Sequence, residues 1–113
     1  MVTIYHNPRC SKSRETLALL NARGIEPEVV LYLQTPPDRE TLRILLQKLG
    51  MQSVQQLMRT KESIYRELAL SDKSESALLD ALVEHPVLIE RPIVINGDKA
   101  RIGRPPEAVL DLF

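Results

Sequence analysis

Cysteine is scarce in this chain, because Cys10 is the single thiol among 113 residues. One thiol cannot form an intramolecular disulfide, and it cannot build a cysteine-rich metal site. We therefore expect no metal centre. If Cys10 is oxidised during a reaction, the thiol that reduces it must come from another molecule.

The chain also lacks an excess of either charge, with 15 Lys and Arg residues against 15 Asp and Glu residues. Nucleic acids and anionic membranes usually select a basic face, so this balance predicts neither partner. The N-terminus has no basic segment followed by a long apolar run, and no apolar stretch approaches the length of a membrane span. We expect a cytoplasmic protein, in a compartment where thiols stay reduced.

The apolar content of 43% over 113 residues predicts one globular domain, residues 1–113. The first half of the chain is predicted to form a strand from Val2 to Tyr5, a helix from Cys10 or Ser11 to about Gly24, a strand from Glu28 to Leu33 and a helix from Asp38 to Gly50. Helical pieces from Ser53 to Met58 and from Glu62 to Leu68 and a helix from Ser74 to His85 follow. The chain then forms a hairpin of Pro92 to Ile95 and Ala100 to Ile102, and a final helix that begins at Pro105 and bears Val109, Leu110 and Phe113. Asn96-Gly97 between two strand-like runs is a strong hairpin signal. This order predicts an α/β fold with a small mixed sheet flanked by helices.

Cys10 lies where the loop after the first strand leads into the first helix. The free N–H groups and the dipole of a helix N-terminus stabilise an anion, so we expect the pKa of Cys10 to fall below the free value of about 8.5. A positive charge on His6 or Arg9 would act in the same direction, and the Ser13 hydroxyl is placed to donate to the sulfur. A lone cysteine is often only a small buried hydrophobe, and a loop histidine is often only solvated. The polar residues on both sides of Cys10 favour a reactive thiol.

The same helix terminus can hold an oxyanion, for which arginine is the natural complement. The candidates are Arg9, Arg14, Arg59, Arg66, Arg91, Arg101 and Arg104. Spacing alone does not choose among them, and a solvated surface position is the ordinary alternative for each. Arg91 and Arg104 stand out because each precedes a proline, which holds the residue before it extended.

One segment of the chain resembles the active-site loop of a known family. His6-Asn7-Pro8-Arg9-Cys10-Ser11-Lys12-Ser13-Arg14, with Thr16-Leu17 after it, is similar to that loop in the ArsC family, arsenate reductases that use glutathione and glutaredoxin. Further segments follow the family's order and approximate spacing: Leu31-Tyr32-Leu33 with Pro36-Pro37, Leu57-Met58-Arg59, His85-Pro86, Leu88-Ile89-Glu90-Arg91-Pro92-Ile93-Val94, and Arg104-Pro105. The resemblance covers nearly the whole chain and implies a thioredoxin-like (glutaredoxin-like) fold with a helical insertion.

The resemblance also implies site residues and a mechanism. Cys10 would be the nucleophile that forms a covalent thiol–arsenate adduct, and His6 and Ser13 would help to keep it ionised. The implied substrate-binding residues are Arg59, Arg91 and Arg104, and Pro92 would be the cis-proline that faces the active site. Glutathione would attack the adduct as co-substrate, with no bound cofactor, and glutaredoxin would remove the glutathione left on the cysteine.

Two departures leave the oxyanion open between arsenate and a similar small anion. The sequence ends at Phe113, where longer family members continue, and Lys12 stands where several reductases have a smaller residue. One rival reading is an Spx-like regulator that binds RNA polymerase. Such regulators typically carry a Cys-x-x-Cys switch at this loop, but the second position here is Ser13. The other rival is a general glutathione-linked thiol oxidoreductase, which would not need the arginines.

Overall fold

A four-stranded mixed sheet carries the first and last parts of the chain, with strand order β2-β1-β3-β4. The strands are β1 (Val2–Tyr5), β2 (Glu28–Val30), β3 (Ile93–Asn96) and β4 (Lys99–Ile102). β1 pairs with β2 in parallel, with Ile4 opposite Val29. It pairs with β3 antiparallel, with Ile4 opposite Val94, and β4 adds to β3 antiparallel. The predicted small mixed sheet is therefore confirmed.

The computed structural model describes residues 1–113, which form two compact units. The first unit, Met1–Thr35 with Arg91–Phe113, contains the sheet, helix α1 (Ser11–Ala22) and a 3₁₀ helix, Pro106–Leu112. The second unit, Pro36–Glu90, is helical. It consists of α2 (Arg39–Leu49), α3 (Ser63–Glu67), α4 (Glu75–Glu84) and 3₁₀ helices at Val54–Leu57, Leu70–Asp72 and Pro86–Leu88. The assignment of residues 1–113 to one domain stays a prediction.

The core of the first unit lies between the sheet, α1 and the C-terminal 3₁₀ helix. Ile4, Leu20, Val94 and Val109 are fully buried there, and Leu17 packs against them half-buried. The strand residues of this cluster come from the two central strands, where alternate side chains point to the same face. This cluster packs the C-terminal half of α1 against the sheet.

Helix α2 of the second unit begins and ends at residues that the sequence marks as helix caps. The Asp38 carboxylate accepts a hydrogen bond of 2.8 Å from the Thr41 N–H and caps the helix. Leu42 and Leu45 are buried on the inner face. Gly50 ends the helix with φ of +70°, a conformation that glycine adopts without steric cost. The helix predicted between Asp38 and Gly50 is confirmed, as is the helix predicted from Ser74 to His85, which is α4.

Two predicted elements differ in the structure. Strand β2 ends at Val30 instead of Leu33, because the Leu31 carbonyl accepts hydrogen bonds of 2.9 Å from both Gln34 and Thr35 and the chain turns. The final helix is of the 3₁₀ type, and Phe113 at its end is 53% exposed, not buried.

The hairpin turn is shifted by one residue from the Asn-Gly pair. Asn96 pairs with Lys99 in the ladder, so the two turn residues are Gly97 and Asp98. Gly97 takes φ of +64° at the first turn position, the position that a type II′ turn reserves for glycine. The Asn96 side chain is thereby free to donate a 2.7 Å hydrogen bond to the Leu112 carbonyl.

No helix of the structure has the length and apolar character needed to cross a membrane.

Candidate active site

Cys10 is the N-cap residue of α1, at the end of the loop of residues 6–10 that follows β1. We call this segment the active-site loop. The Cys10 N–H donates to the Asn7 carbonyl at 3.0 Å, and the Cys10 carbonyl accepts the first helical hydrogen bond, from Arg14, also at 3.0 Å. The backbone is therefore fixed on both sides of a thiol that is neither fully buried nor fully exposed.

The surroundings of Cys10 favour its thiolate. Burial raises the pKa of Cys10, but the Ser13 N–H, the charge of Arg91, the Lys12 N–H and the charge of Arg104 each lower it. The balance leaves the pKa of Cys10 below its ordinary value. The helix N-terminus acts here through its second and third N–H groups, as expected for an anion at an N-cap.

Arg104 is held against the sulfur by the backbone. Its Nη2 lies 3.6 Å from the Cys10 Sγ, and its Nε donates to the Arg91 carbonyl at 2.9 Å. One edge of the guanidinium thus bridges the residue before Pro92 and the thiol. The remaining N–H groups are available to an anion bound at the sulfur.

Arg91 brings unpartnered donors into the site. Its Nε and Nη1 are buried and have no hydrogen-bond partner in the structure. A buried charged donor without a partner is costly, so such groups in a native protein call for a ligand or a functional reason. Because the charge of Arg91 also stabilises the Cys10 thiolate, these donors belong to the environment of the sulfur.

The peptide bonds before Pro92 and Pro105 are both cis. Each follows one of the two arginines, so Arg91 and Arg104 occupy equivalent places before a cis-proline. The Gly103 N–H donates to the Pro92 carbonyl at 2.9 Å and ties the two segments together. The arginines at the two prolines are therefore held in the same part of the first unit.

His6 and Ser13 meet each other and not the sulfur. His6 Nδ1 and Ser13 Oγ are 2.6 Å apart, and Ser13 Oγ also accepts from the Asn7 N–H at 3.0 Å. The expected hydrogen bond from the Ser13 hydroxyl to Cys10 is therefore wrong, because that hydroxyl is occupied by the loop. Ser13 acts on the thiolate through its backbone N–H instead.

The expectation that His6 adds positive charge is also wrong. Burial lowers the pKa of His6, and the charge of Arg14 lowers it further. His6 is only 7% exposed, so its imidazolium would lose most of its hydration. His6 is therefore neutral near pH 7, and it supports the loop by hydrogen bonding.

Arg59 lies in the second unit. Its backbone N–H donates to the Leu88 carbonyl at 2.7 Å, next to an isolated bridge between Met58 and Ile89. Its guanidinium donates to Glu62 at 2.8 Å and lies 3.9 Å from the Glu90 carboxylate. The role of Arg59 in substrate binding stays a prediction.

Two further residues shape the site without a clear signal in the sequence. Arg14 donates from Nη1 to the Pro8 carbonyl at 2.9 Å and so braces the active-site loop from outside. Gly103 packs so tightly that a Cβ there would lie 2.5 Å from Thr16 Oγ1 and 2.8 Å from Pro92 Cγ. No cluster of three or more His, Cys, Asp or Glu side chains is arranged to hold a metal ion.

This chain is similar to known proteins along nearly its whole length. The model of the ArsC family matches residues 5–112, which include every predicted site residue. The uncharacterized protein YfgD of Escherichia coli (strain K12) is 64% identical over 113 residues, 98% of this chain and 95% of that protein. An arsenate reductase of Haemophilus influenzae is 57% identical over 114 residues, 99% of this chain and 98% of the relative.

Solved structures agree with the fold. An arsenate reductase from Vibrio cholerae superposes with a TM-score of 0.98 at 56% identity, over 99% of this chain and 97% of the other. The match confirms the predicted thioredoxin-like fold, in which Pro36–Glu90 forms the helical insertion.

Proposed function

Because this chain belongs to the ArsC family, we propose that it is an arsenate reductase in which Cys10 attacks the oxyanion and glutathione and glutaredoxin supply the electrons. The observation that carries the proposal is the pair of buried, unpartnered Arg91 donors beside a thiol with a lowered pKa. A thiolate is a nucleophile, and free guanidinium donors are the complement of a tetrahedral oxyanion.

The first step forms the adduct. The Cys10 thiolate attacks arsenic in H₂AsO₄⁻, a sulfur–arsenic bond forms, and one arsenic–oxygen bond breaks. The departing oxygen takes up a proton from solvent and leaves as water, so arsenic remains As(V). Arg91 and Arg104 stabilise the negative charge that gathers on the arsenate oxygens in the transition state.

Glutathione completes the reduction in the second step. Its thiol loses a proton, which is taken up by an oxygen of the departing arsenite, and forms a disulfide with Cys10 as the sulfur–arsenic bond breaks. Arsenic takes the electron pair of that bond and leaves as arsenite, H₂AsO₃⁻, with arsenic as As(III). A glutaredoxin thiolate then attacks the glutathione sulfur and releases the Cys10 thiolate. The chain has no second cysteine for an internal relay, so external thiols fit this scheme.

The arginines separate this function from a general glutathione-linked oxidoreductase. Such an enzyme needs the thiolate but gains nothing from leaving buried donors unpaired, at a cost of about 1–3 kcal/mol each. An Spx-like regulator is disfavoured because position 13 is Ser13, whose hydroxyl is bonded to His6. The reaction uses no bound cofactor in this proposal and takes place in the cytoplasm, where the two thiol partners are reduced.

The test is arsenate-dependent NADPH oxidation in a coupled assay with glutathione, glutaredoxin and glutathione reductase. We expect turnover by the native chain and none by Cys10→Ser. Arg23→Gln, an exposed charge loss at the C-cap of α1, should keep full activity and controls for general effects of charge. Absence of arsenate-dependent turnover in the native chain, with all partners shown to be active, would overturn the proposal.

A mass measurement adds a readout that does not depend on the coupling enzymes. With arsenate and glutathione but no glutaredoxin, the native chain should accumulate one glutathione in disulfide linkage. That product should require arsenate and should be absent in Cys10→Ser. Glutathionylation at the same rate without arsenate would point to general thiol exchange instead.

A further inference from the structure

A cavity of about 260 Å³ opens beside the active-site loop, within the first unit. Its lining residues are His6, Asn7, Pro8, Arg9, Leu31, Leu33 and Gln34. Four of them belong to the loop that ends at Cys10, so a ligand bound here lies next to the segment that carries the thiol. Neither step of the proposed reaction, as far as Cys10 and the arginines carry it, uses this cavity.

The lining combines apolar surface with two side-chain amides and one arginine. Pro8, Leu31 and Leu33 provide apolar surface, and Leu33 is 45% exposed although it is a large apolar residue. The Arg9 backbone is fixed, since its N–H donates to the Asn7 side chain at 3.0 Å, while its guanidinium has no hydrogen bond or ion pair. Ligand sites typically combine apolar walls with a few placed polar groups of this kind.

No carboxylate lines this cavity, in contrast to a second hollow of the first unit. That hollow, of about 540 Å³, is lined by Lys12, Glu15, Ala18, Leu19, Pro105, Pro106 and Glu107. Lys12 is already paired with Glu15 at 3.6 Å, which leaves Glu107 uncompensated. An anionic ligand is therefore attracted to the cavity at Arg9 and repelled by the hollow at Glu107.

We propose that the cavity lined by Arg9, Leu33 and Gln34 binds the glutathione that reduces the Cys10 adduct. This inference rests on the proposed function, which requires an external thiol. Glutathione carries two carboxylates, one ammonium group and two peptide bonds around its thiol. Arg9 pairs with one carboxylate of glutathione, and the side-chain amides of Asn7 and Gln34 form hydrogen bonds with the peptide groups of glutathione.

Binding in this cavity places the thiol for the second step. The bound thiol loses its proton, which ends on an arsenite oxygen, and forms a disulfide with Cys10, while the sulfur–arsenic bond breaks and arsenic takes that electron pair. Holding the two reactants together removes the entropy cost of their encounter. The cavity is therefore assigned to the reductant, and the donors of Arg91 and Arg104 to the oxyanion.

The kinetic test uses Arg9→Gln in the full chain, with Arg23→Gln as the matched loss of an exposed arginine. Loss of one charge-assisted hydrogen bond should raise the KM for glutathione roughly tenfold. The KM for arsenate and the pH dependence of Cys10 alkylation should stay as in the native chain. An unchanged KM for glutathione, or an equal rise in both KM values, would overturn the assignment.

A binding test separates this inference from the proposed function. S-methylglutathione cannot react, so its binding is followed by backbone amide NMR without any turnover. We expect shifts in the amides of Asn7, Arg9 and residues 31–34, lost in Arg9→Glu and kept in Arg23→Gln. Shifts centred on Glu15 and Glu107, or no shifts, would overturn the cavity assignment even if arsenate is reduced. Shifts at the cavity in a chain that does not reduce arsenate would support the site and reject the proposed function.

Discussion

Gly103 and Thr16 approach so closely that any side chain at position 103 must displace a neighbour, since an added Cβ would lie 2.5 Å from Thr16 Oγ1. Thr16 cannot retreat without cost, because it is fully buried and its hydroxyl donates to the Lys12 carbonyl at 2.8 Å. This contact brings the end of β4 against the first turns of α1. Arg104, the next residue, thereby reaches the Cys10 sulfur.

We expect Gly103→Ala to move Arg104 away from the thiol. Overpacking of this kind costs about 1–3 kcal/mol of stability. The pKa of Cys10 should rise, because the thiolate loses a stabilising positive charge. The rate of iodoacetamide alkylation measured against pH reports that pKa.

Gly24→Ala is the matched control for this substitution. Gly24 also lies outside any strand or helix, and a Cβ there meets nothing within 4 Å, but its φ of +76° makes alanine strained. This variant should lose stability without a change in the Cys10 pKa. If Gly103→Ala alkylates with the native pH profile, the contact with Thr16 does not position Arg104.

The two arginines should contribute unequally to the thiolate. Arg91→Gln and Arg104→Gln should each raise the pKa of Cys10, and Arg91→Gln should raise it more, since the charge of Arg91 acts more strongly on the sulfur. Ultraviolet absorbance of the thiolate against pH measures both. Arg101→Gln is the control, because Arg101 bonds to the Ala100 carbonyl and not to Cys10. If Arg104→Gln raises the pKa of Cys10 more than Arg91→Gln does, the prediction is wrong.

Arg91→Met should separate binding from stability. Loss of the charged donors should weaken the response to arsenate by about 2–3 kcal/mol, or ~30- to 150-fold in kcat/KM. The free energy of unfolding should not fall, because an apolar side chain of similar length removes two buried donors that have no partner. Urea unfolding and arsenate kinetics on the same preparation test both parts. A variant that keeps native kcat/KM would remove Arg91 from the oxyanion site.

His6 should make the fold less stable as the pH falls. Its pKa is lowered in the folded chain, so the unfolded chain binds more protons in the window between that pKa and the ordinary value of about 6.5. The His6 contribution is complete above about pH 6.5 and is lost as the pH falls through the folded-state pKa. Unfolding free energies at a series of pH values should show this slope in the native chain, and a smaller slope in His6→Gln.

Arg14 provides a second check on the same group. Arg14→Gln should raise the pKa of His6, because one of the two causes that lower it is the charge of Arg14. Burial remains, so the pKa of His6 should stay below its ordinary value. NMR titration of the His6 ring measures the change. A His6 titration identical to that of the native chain would show that Arg14 acts only on the loop, through the Pro8 carbonyl.

Local patterns were sufficient for much of the fold. The β-branched run of β1, the Asp38 cap and Gly50 stop of α2, and the leucine spacing of α4 are short-range signals, and each element is present. The patterns failed where tertiary contacts decided the local structure. Leu31 to Leu33 is an apolar run that turns, with Tyr32 buried and Leu33 exposed, because hydrogen bonds close around the Leu31 carbonyl.

The sequence by itself determined that the single thiol lies at the start of a helix among polar residues, and it singled out Arg91 and Arg104 as the arginines that precede prolines. Only the tertiary structure decided that the Ser13 hydroxyl bonds to His6, that His6 is neutral, and that Arg91 has buried donors without partners. The physical reason is the distance along the sequence between the residues that interact. A helix N-terminus stabilises an anion within its first turn, which a local sequence pattern can indicate. Arg104, in contrast, contacts Cys10 from 94 positions away in the sequence, and Gly103 packs against Thr16 in the same way, so only the tertiary structure shows these contacts.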